Sequence, residues 1–224
     1  VIGMGAPVVA VPIMSIFIDV RLAVVIMVVP NLVTNLWQLW LFRHALLRGW
    51  FTPVNTSASG VGALIGTLFL VSLPVDVLTI CVAGAVIAYV TLRLSHPDLA
   101  LSMSAAHYLA APAGVAAGIL QGAAGISAPV SVSFLNAMKI SRETFIATIS
   151  AGFVGMSFIQ IPMLVGFGLL NLNIAAVGTL CLIPLLLFMR LGRLLARNFS
   201  QEFFDRAILI VLILLAARLI WSVV

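Results

Sequence analysis

Chemistry in this chain has to come from a few polar and backbone groups set in apolar sequence. Gly125-Ile126-Ser127-Ala128-Pro129-Val130 has a twin in Gly3-Met4-Gly5-Ala6-Pro7-Val8, with four of the six positions identical at an offset of 122 residues. The same offset places Gln38 on Gln160 and Asn35 on Ser157. Glycine and small residues let the backbone leave a helix, and proline restarts it in the first turn, where its missing N–H costs nothing. A helix that begins there points unpaired N–H groups and the positive end of its dipole forward, an arrangement that suits an anion. At membrane depth such irregular backbone survives only where protein buries it or it lines a watery cavity. Interrupted helices at matching places in two halves point to a transporter's binding site. Close packing at the glycines and kinks at the prolines would account for one such motif, but less well for two in register.

A second group of polar residues supports the same site. Asn31, Asn35 and Gln38 are spaced i, i+4, i+7 and fall on one helix face. A polar stripe in a spanning helix faces protein or water rather than lipid, although helix–helix hydrogen bonding explains any one of these residues equally well. The expected substrate-binding set is Gly3, Gly5, Ala6, Asn31, Asn35, Gln38, Gly125, Ile126, Ser127, Ala128, Ser157 and Gln160. In it, N–H groups around Gly5, Ala6, Ser127 and Ala128 would hold an oxyanion. The amides of Asn35, Gln38 and Gln160 and the hydroxyl of Ser157 would complete its shell. Neutral donors suit a carrier, because a buried arginine would hold a small anion too firmly for release.

Enzymatic chemistry is not expected. Gly125-Ile126-Ser127 resembles a Gly-x-Ser nucleophile with His107 as the nearest base, which would make an intramembrane hydrolase. The aligned position in the first copy is Gly5, so the motif does not need the serine. No catalytic residue, metal ligand set or cofactor is assigned. Cys81 and Cys181 lie in apolar runs without metal spacing and read as buried, inert thiols. No Asp, Glu or Lys falls in the middle of a span, so no carboxylate proton relay is visible.

The elements that must position these groups follow from composition. The chain has 224 residues, 63% hydrophobic and 8% charged, with a mean hydropathy of +1.29. Soluble domains carry about 25% charged residues, so this is a multi-pass membrane protein in a lipid bilayer. The formal net charge of +5 does not indicate nucleic acid, because the basic residues sit in short loops between apolar runs. The expected segments are Pro7–Ile18, Leu22–Phe42, Ala58–Leu73 and Val75–Leu92, then Tyr108–Gln121 and Pro129–Met138 around the break, then Thr144–Val165, Ile174–Met189 and Ala207–Val223. Phe51–Ser59 reads as a loop, and His96 and His107 as loop or interface residues. The chain opens inside the first motif, so a segment preceding Gly3 is expected to be missing.

Two repeats result, residues 1–95 and 96–224, each a broken segment plus three spans. If the broken segments cross, the loop Lys and Arg divide seven against three between the faces; if they fold back as re-entrant hairpins, the division is nine against one. The positive-inside rule favours the second. The arms beside Gly125 also read as too short for the roughly 20 residues of a span. The expected fold is all-α, two inverted repeats whose half-helices meet near the midplane.

The paired motif resembles the glycine-rich repeat of the sulfite exporter TauE/SafE family, roughly Gly-x-Gly-Gly-Gly-Pro followed by an apolar run and proline. Gly3 to Pro7 with Pro12 matches it, and Gly122 to Pro129 matches with Ser127 and Ala128 in place of glycines. The resemblance covers the whole layout of about eight hydrophobic segments. It implies a secondary transporter in the bacterial inner membrane for small sulfur-containing anions such as sulfite, sulfoacetate or other organosulfonates. An anion channel of the same fold is the nearest rival. The partners expected are the anionic substrate and the lipid, with a homo-oligomer left open.

Overall fold

The computed structural model describes residues 6–95, 100–195 and 201–221. The elements are α1 (Ala6–Met14), α2 (Val20–Phe42) with a 3-10 turn at Arg43–Ala45, α3 (Phe51–Ser72), α4 (Val75–Ser95), α5 (Met103–Ala124), α6 (Ala128–Ala137), α7 (Arg142–Gly166), α8 (Leu172–Leu195) and α9 (Gln201–Trp221). There is no strand among the described residues. Five helices are long and apolar enough to cross a membrane, namely α2, α3, α4, α5 and α7, while α8 and α9 carry shorter apolar runs, Leu172–Leu187 and Leu209–Trp221. The protein is all-helical.

Side-chain oxygens set several of the helix starts by accepting orphan N–H groups of the first turn. Asp19 accepts from Arg21 at 2.6 Å, Ser102 from Ala105 at 3.2 Å, Ser141 from Thr144 at 3.3 Å and Asn171 from Ile174 at 2.9 Å. The Ser102 cap starts α5 well before Tyr108 and gives it 22 residues, so this arm is longer than the short arm expected from the sequence. His107 therefore stands in the second turn of a helix, its ring 4.9 Å from that of Trp50. The stretch Phe51–Ser59 is likewise not a loop but the first turns of α3.

Two glycine rows bring α3 and α5 into backbone contact. A Cβ on Gly62 or Gly66 would overlap the carbonyl oxygen of Val115 or Ile119, and one on Gly118 would overlap that of Ser59. A Cβ on Gly122 would stand 2.6 Å from the Ala63 oxygen. Without hydrophobic drive between helices in lipid, such close approach through small residues is what holds them together. α7 lies against the same pair, with Gly155 facing Thr56.

Three contacts fix how the helices run. Leu101 N–H donates to Ala137 C=O at 2.7 Å, so the start of α5 and the end of α6 lie at the same end of the bundle. His44, just after α2, stands 3.4 Å from Glu143 in the first turn of α7. α2 and α7 also pack together, so they run antiparallel. Arg21, near the start of α2, donates Nη2 to Leu73 C=O at 2.7 Å, which closes the far end of α3.

The main apolar cluster surrounds the far side of the break, with Val11, Val24, Leu70, Leu78, Ile126 and Leu164 fully or almost fully buried. Trp37, Trp40 and Phe158 point outward, as lipid-facing residues of a membrane bundle do. Cys81 is exposed and Cys181 half-buried, so neither is the buried core thiol expected.

Candidate functional site

α5 stops at Gly125, which adopts a left-handed conformation with φ 68° and donates its N–H to Gln121 C=O at 2.9 Å. Glycine takes this conformation without the Cβ penalty of other residues. A Cβ here would also stand 3.1 Å from Val11 Cγ2 and 3.2 Å from Val24 Cγ2. Ile126 and Ser127 turn the chain, and α6 restarts at Ala128 with Pro129 in its first turn. Val130 and Ser131 donate to Ser127 C=O at 3.0 and 2.8 Å. The N–H groups of Ser127 and Ala128 make no hydrogen bond to a described residue, so the helix start keeps its donors.

The tip of this hairpin rests on α1 and α2. Val24, which it touches, shares a helix face with Asn31, Asn35 and Gln38, at i, i+7, i+11 and i+14. The polar stripe therefore continues the side of α2 turned toward the tip. On α7, Gln160 donates Nε2 to Gly122 C=O at 3.4 Å and so ties that helix to the last turn of α5. Ser157, one turn before, is buried on the same helix.

Buried polar atoms without partners collect on these elements. They are Arg21 Nε, Asn31 Nδ2, Asn35 Oδ1 and Gln38 Oε1 on α2, Gln121 Oε1 on α5, Ser127 Oγ at the tip, and Thr148 Oγ1, Ser150 Oγ and Ser157 Oγ on α7. Leaving one buried polar group unsatisfied costs about 1–3 kcal/mol, so a concentration of them marks a place that a ligand or water completes. None of the buried polar residues among those described is ionisable. The start of α6 turns the positive end of its dipole toward the tip.

The amides of α2 are oriented by their own helix. Asn35 Nδ2 donates to Asn31 O at 2.8 Å and Asn31 Oδ1 at 2.9 Å, and Gln38 Nε2 to Thr34 O at 3.3 Å. Their unpaired atoms are the amide oxygens, while Asn31 supplies a free NH2. Gly125, Ile126, Ser127 and Ala128 form the tip, and Ala6 opens α1. Gly3 and Gly5 lie outside the described residues.

Sequence reasoning passed over Gln121, Thr148 and Ser150. Gln121 had a readable signal, being one turn before Gly125 in a stretch otherwise made of Ala, Gly, Ile and Leu. Among the described residues no cluster of His, Cys, Asp and Glu could hold a metal ion.

A bundle of apolar helices around a buried, incompletely satisfied polar layer defines a multi-pass membrane protein. The model of the family described as Sulfite exporter TauE/SafE matches residues 1–219, and the chain belongs to that family. The family places it among membrane transporters of sulfur-containing anions rather than enzymes. No curated protein and no solved structure matches the chain.

Proposed function

We propose that this protein is a secondary transporter that carries sulfite, sulfoacetate or another small organosulfonate across the bacterial inner membrane. The anion is held at the start of α6 by the N–H groups of Ser127 and Ala128 and the Ser127 hydroxyl. Asn31, Ser157 and Gln160 complete the shell from α2 and α7. The unpaired oxygens of Asn35 and Gln38 hold water or a hydrogen carried by the ligand. In the first half, Gly3, Gly5 and Ala6 take the place of the α6 start. The observation that carries this reading is the buried Ser127 hydroxyl, unpaired at a helix start whose own N–H donors are also unpaired.

Residues 1–95 and 96–224 act as two inverted repeats. Several features support this. α1 and α6 start 122 residues apart, at Ala6 and Ala128, as do α2 and α7, at Val20 and Arg142. The caps of α2 and α7, Asp19 and Ser141, keep the same offset. α3 packs on α7 as α8 packs on α2, and α4 on α6 as α9 on α1. Equivalent helices that run antiparallel, α2 and α7, are what inversion requires. With the nine basic loop residues cytoplasmic, transport proceeds by one repeat rocking against the other.

Thermal stabilisation of the purified protein by sulfite, sulfoacetate, taurine, thiosulfate and sulfate tests the reading, because a ligand bound only to the folded state raises apparent stability. Selective stabilisation that disappears in Ser127→Leu is expected. Stabilisation unchanged in that variant would remove the tip as the site.

A further inference from the structure

A narrow pocket, open at its mouth and with enclosed room for about one water molecule, lies between α3, α5, α6 and α7. Its walls include Asn55, Ser59, Ala117, Ser131, Phe134 and Met156. Three of its lining positions stand one helical turn from a polar residue of the buried site. Ala117 precedes Gln121 on α5, Ser131 follows Ser127 on α6, and Met156 precedes Gln160 on α7. Residues at i and i+4 share a helix face. The pocket therefore leads onto the side of the hairpin tip where Ser127 and Gln121 keep unpaired atoms, both residues more than nine-tenths buried.

The directions of the helices give the pocket a side. α3, α5 and α7 all start at the end of the bundle where His44 meets Glu143 and where Leu101 meets Ala137. Asn55 and Ser59 fall in the first turns of α3, and Phe134 in the last turn of α6, which returns to that end. On the opposite side of the tip the helices present apolar side chains. Leu164 lies one turn beyond Gln160, and Val11 and Val24 close against Gly125. Both valines and Leu164 are almost fully buried.

The pocket wall has polar groups to offer an anion in passage. The hydroxyls of Ser59 and Ser131 make no hydrogen bond to a described residue. Asn55 is held by its Nδ2 bond to Ala110 O at 2.8 Å, and its amide oxygen faces the gap above Gly152. Without a side chain at Gly152, that gap stays open.

We infer that this pocket is a vestibule that widens by movement of its lining side chains to pass a small oxyanion from the basic face to the hairpin tip, with Ser59 and Ser131 as stepping hydroxyls. The chain stands in the conformation sealed toward the opposite face by Val11, Val24 and Leu164. The inference rests on the transporter reading for the identity of what passes, while the one-sided access rests on the geometry alone.

The test uses the full chain in sealed vesicles of either orientation, with Cys81→Ser and Cys181→Ser as background and Ser131→Cys as reporter. A small cationic, membrane-impermeant maleimide is applied from one face at a time. Reaction from the basic face should be about tenfold faster or more, since a sealed side reacts only through rare opening. Sulfoacetate should slow it, and modified protein should lose counterflow. Ser59→Cys repeats the measurement at a second wall of the pocket. Equal rates from both faces, or faster reaction from the opposite face, would overturn the vestibule. Full flux after complete modification would overturn its place on the path. If the unmodified protein binds and moves none of the sulfur anions while Ser131→Cys still reacts from the basic face only, the transporter reading falls and the one-sided vestibule stands.

Discussion

Removing the Ser127 hydroxyl should act in opposite directions on stability and on binding. In the unliganded chain its oxygen is buried without a partner, which costs about 1–3 kcal/mol. Ser127→Ala deletes that group and leaves the start of α6 unchanged, because the hydroxyl makes no capping bond. The variant should therefore melt at the same temperature as wild type or above it without ligand. Its anion affinity should fall roughly 10- to 100-fold, the worth of a hydrogen bond to a charged group at 1.5–3 kcal/mol. Melting curves with and without anion check both halves; a variant less stable without ligand would mean the hydroxyl has a structural partner. Gly125 gives the opposite pattern. Gly125→Ala has to hold a Cβ in left-handed backbone, costing about 1–2 kcal/mol, against valine methyls already 3.1 and 3.2 Å away. A loss of about 2–8 °C in melting temperature is expected for a chain of this size. The affinity of the protein that remains folded should be nearly unchanged.

At the scale of elements, the α3–α5 pair is the rigid frame against which the hairpin tip is held. Gly118→Ala places a methyl group on the Ser59 carbonyl oxygen, where only a shift of whole helices relieves the overlap. Overpacking of this kind costs about 1–3 kcal/mol, and the yield of folded protein should drop. Gly84→Ala is the control, since a Cβ there meets nothing within 4 Å, and it should be neutral or slightly stabilising. Equal effects of the two would mean that the glycines serve helix propensity rather than contact. These elements also show what the sequence makes legible. The start of α6 could be read from Gly125 and Pro129, because backbone freedom and a missing N–H act locally. The start of α3 could not. Asn55 and Ser59 look like loop residues in the chain, yet Asn55 bonds to Ala110 and Ser59 is buried beside Gly118. Their partners lie some 55 residues away on α5, outside any local pattern. The early start of α5 was hidden for a different reason, since a lone Ser102 cap is a weak signal beside the break that follows it.

Orientation of the two halves is a property of the whole molecule, and loop charge and helix length argue for it from the sequence on different grounds. Length argued for a hairpin on the ground that both arms were short, and α5 at 22 residues does not meet that description. Charge argued for it because folding the broken segments back puts nine of the loop Lys and Arg on one face. The His44–Glu143 contact allows the two arrangements to be separated directly. In the inverted arrangement both residues sit at the basic face, 3.4 Å apart and well exposed. With both halves pointing the same way they would lie on opposite faces, about 30 Å of hydrocarbon apart. The pair His44→Cys and Glu143→Cys, in a background lacking Cys81 and Cys181, should therefore be joined by a short bis-maleimide and change mobility on a gel. The charge pair itself contributes little at this exposure, so its loss should leave the fold intact. Lys139→Cys with Asn171→Cys should not be joined, because α7 separates those two positions by its full length. Failure of the first pair to join would put His44 and Glu143 on opposite faces and remove the inversion on which a rocking mechanism depends, while joining of the second pair would show only that the reagent links cysteines without regard to face.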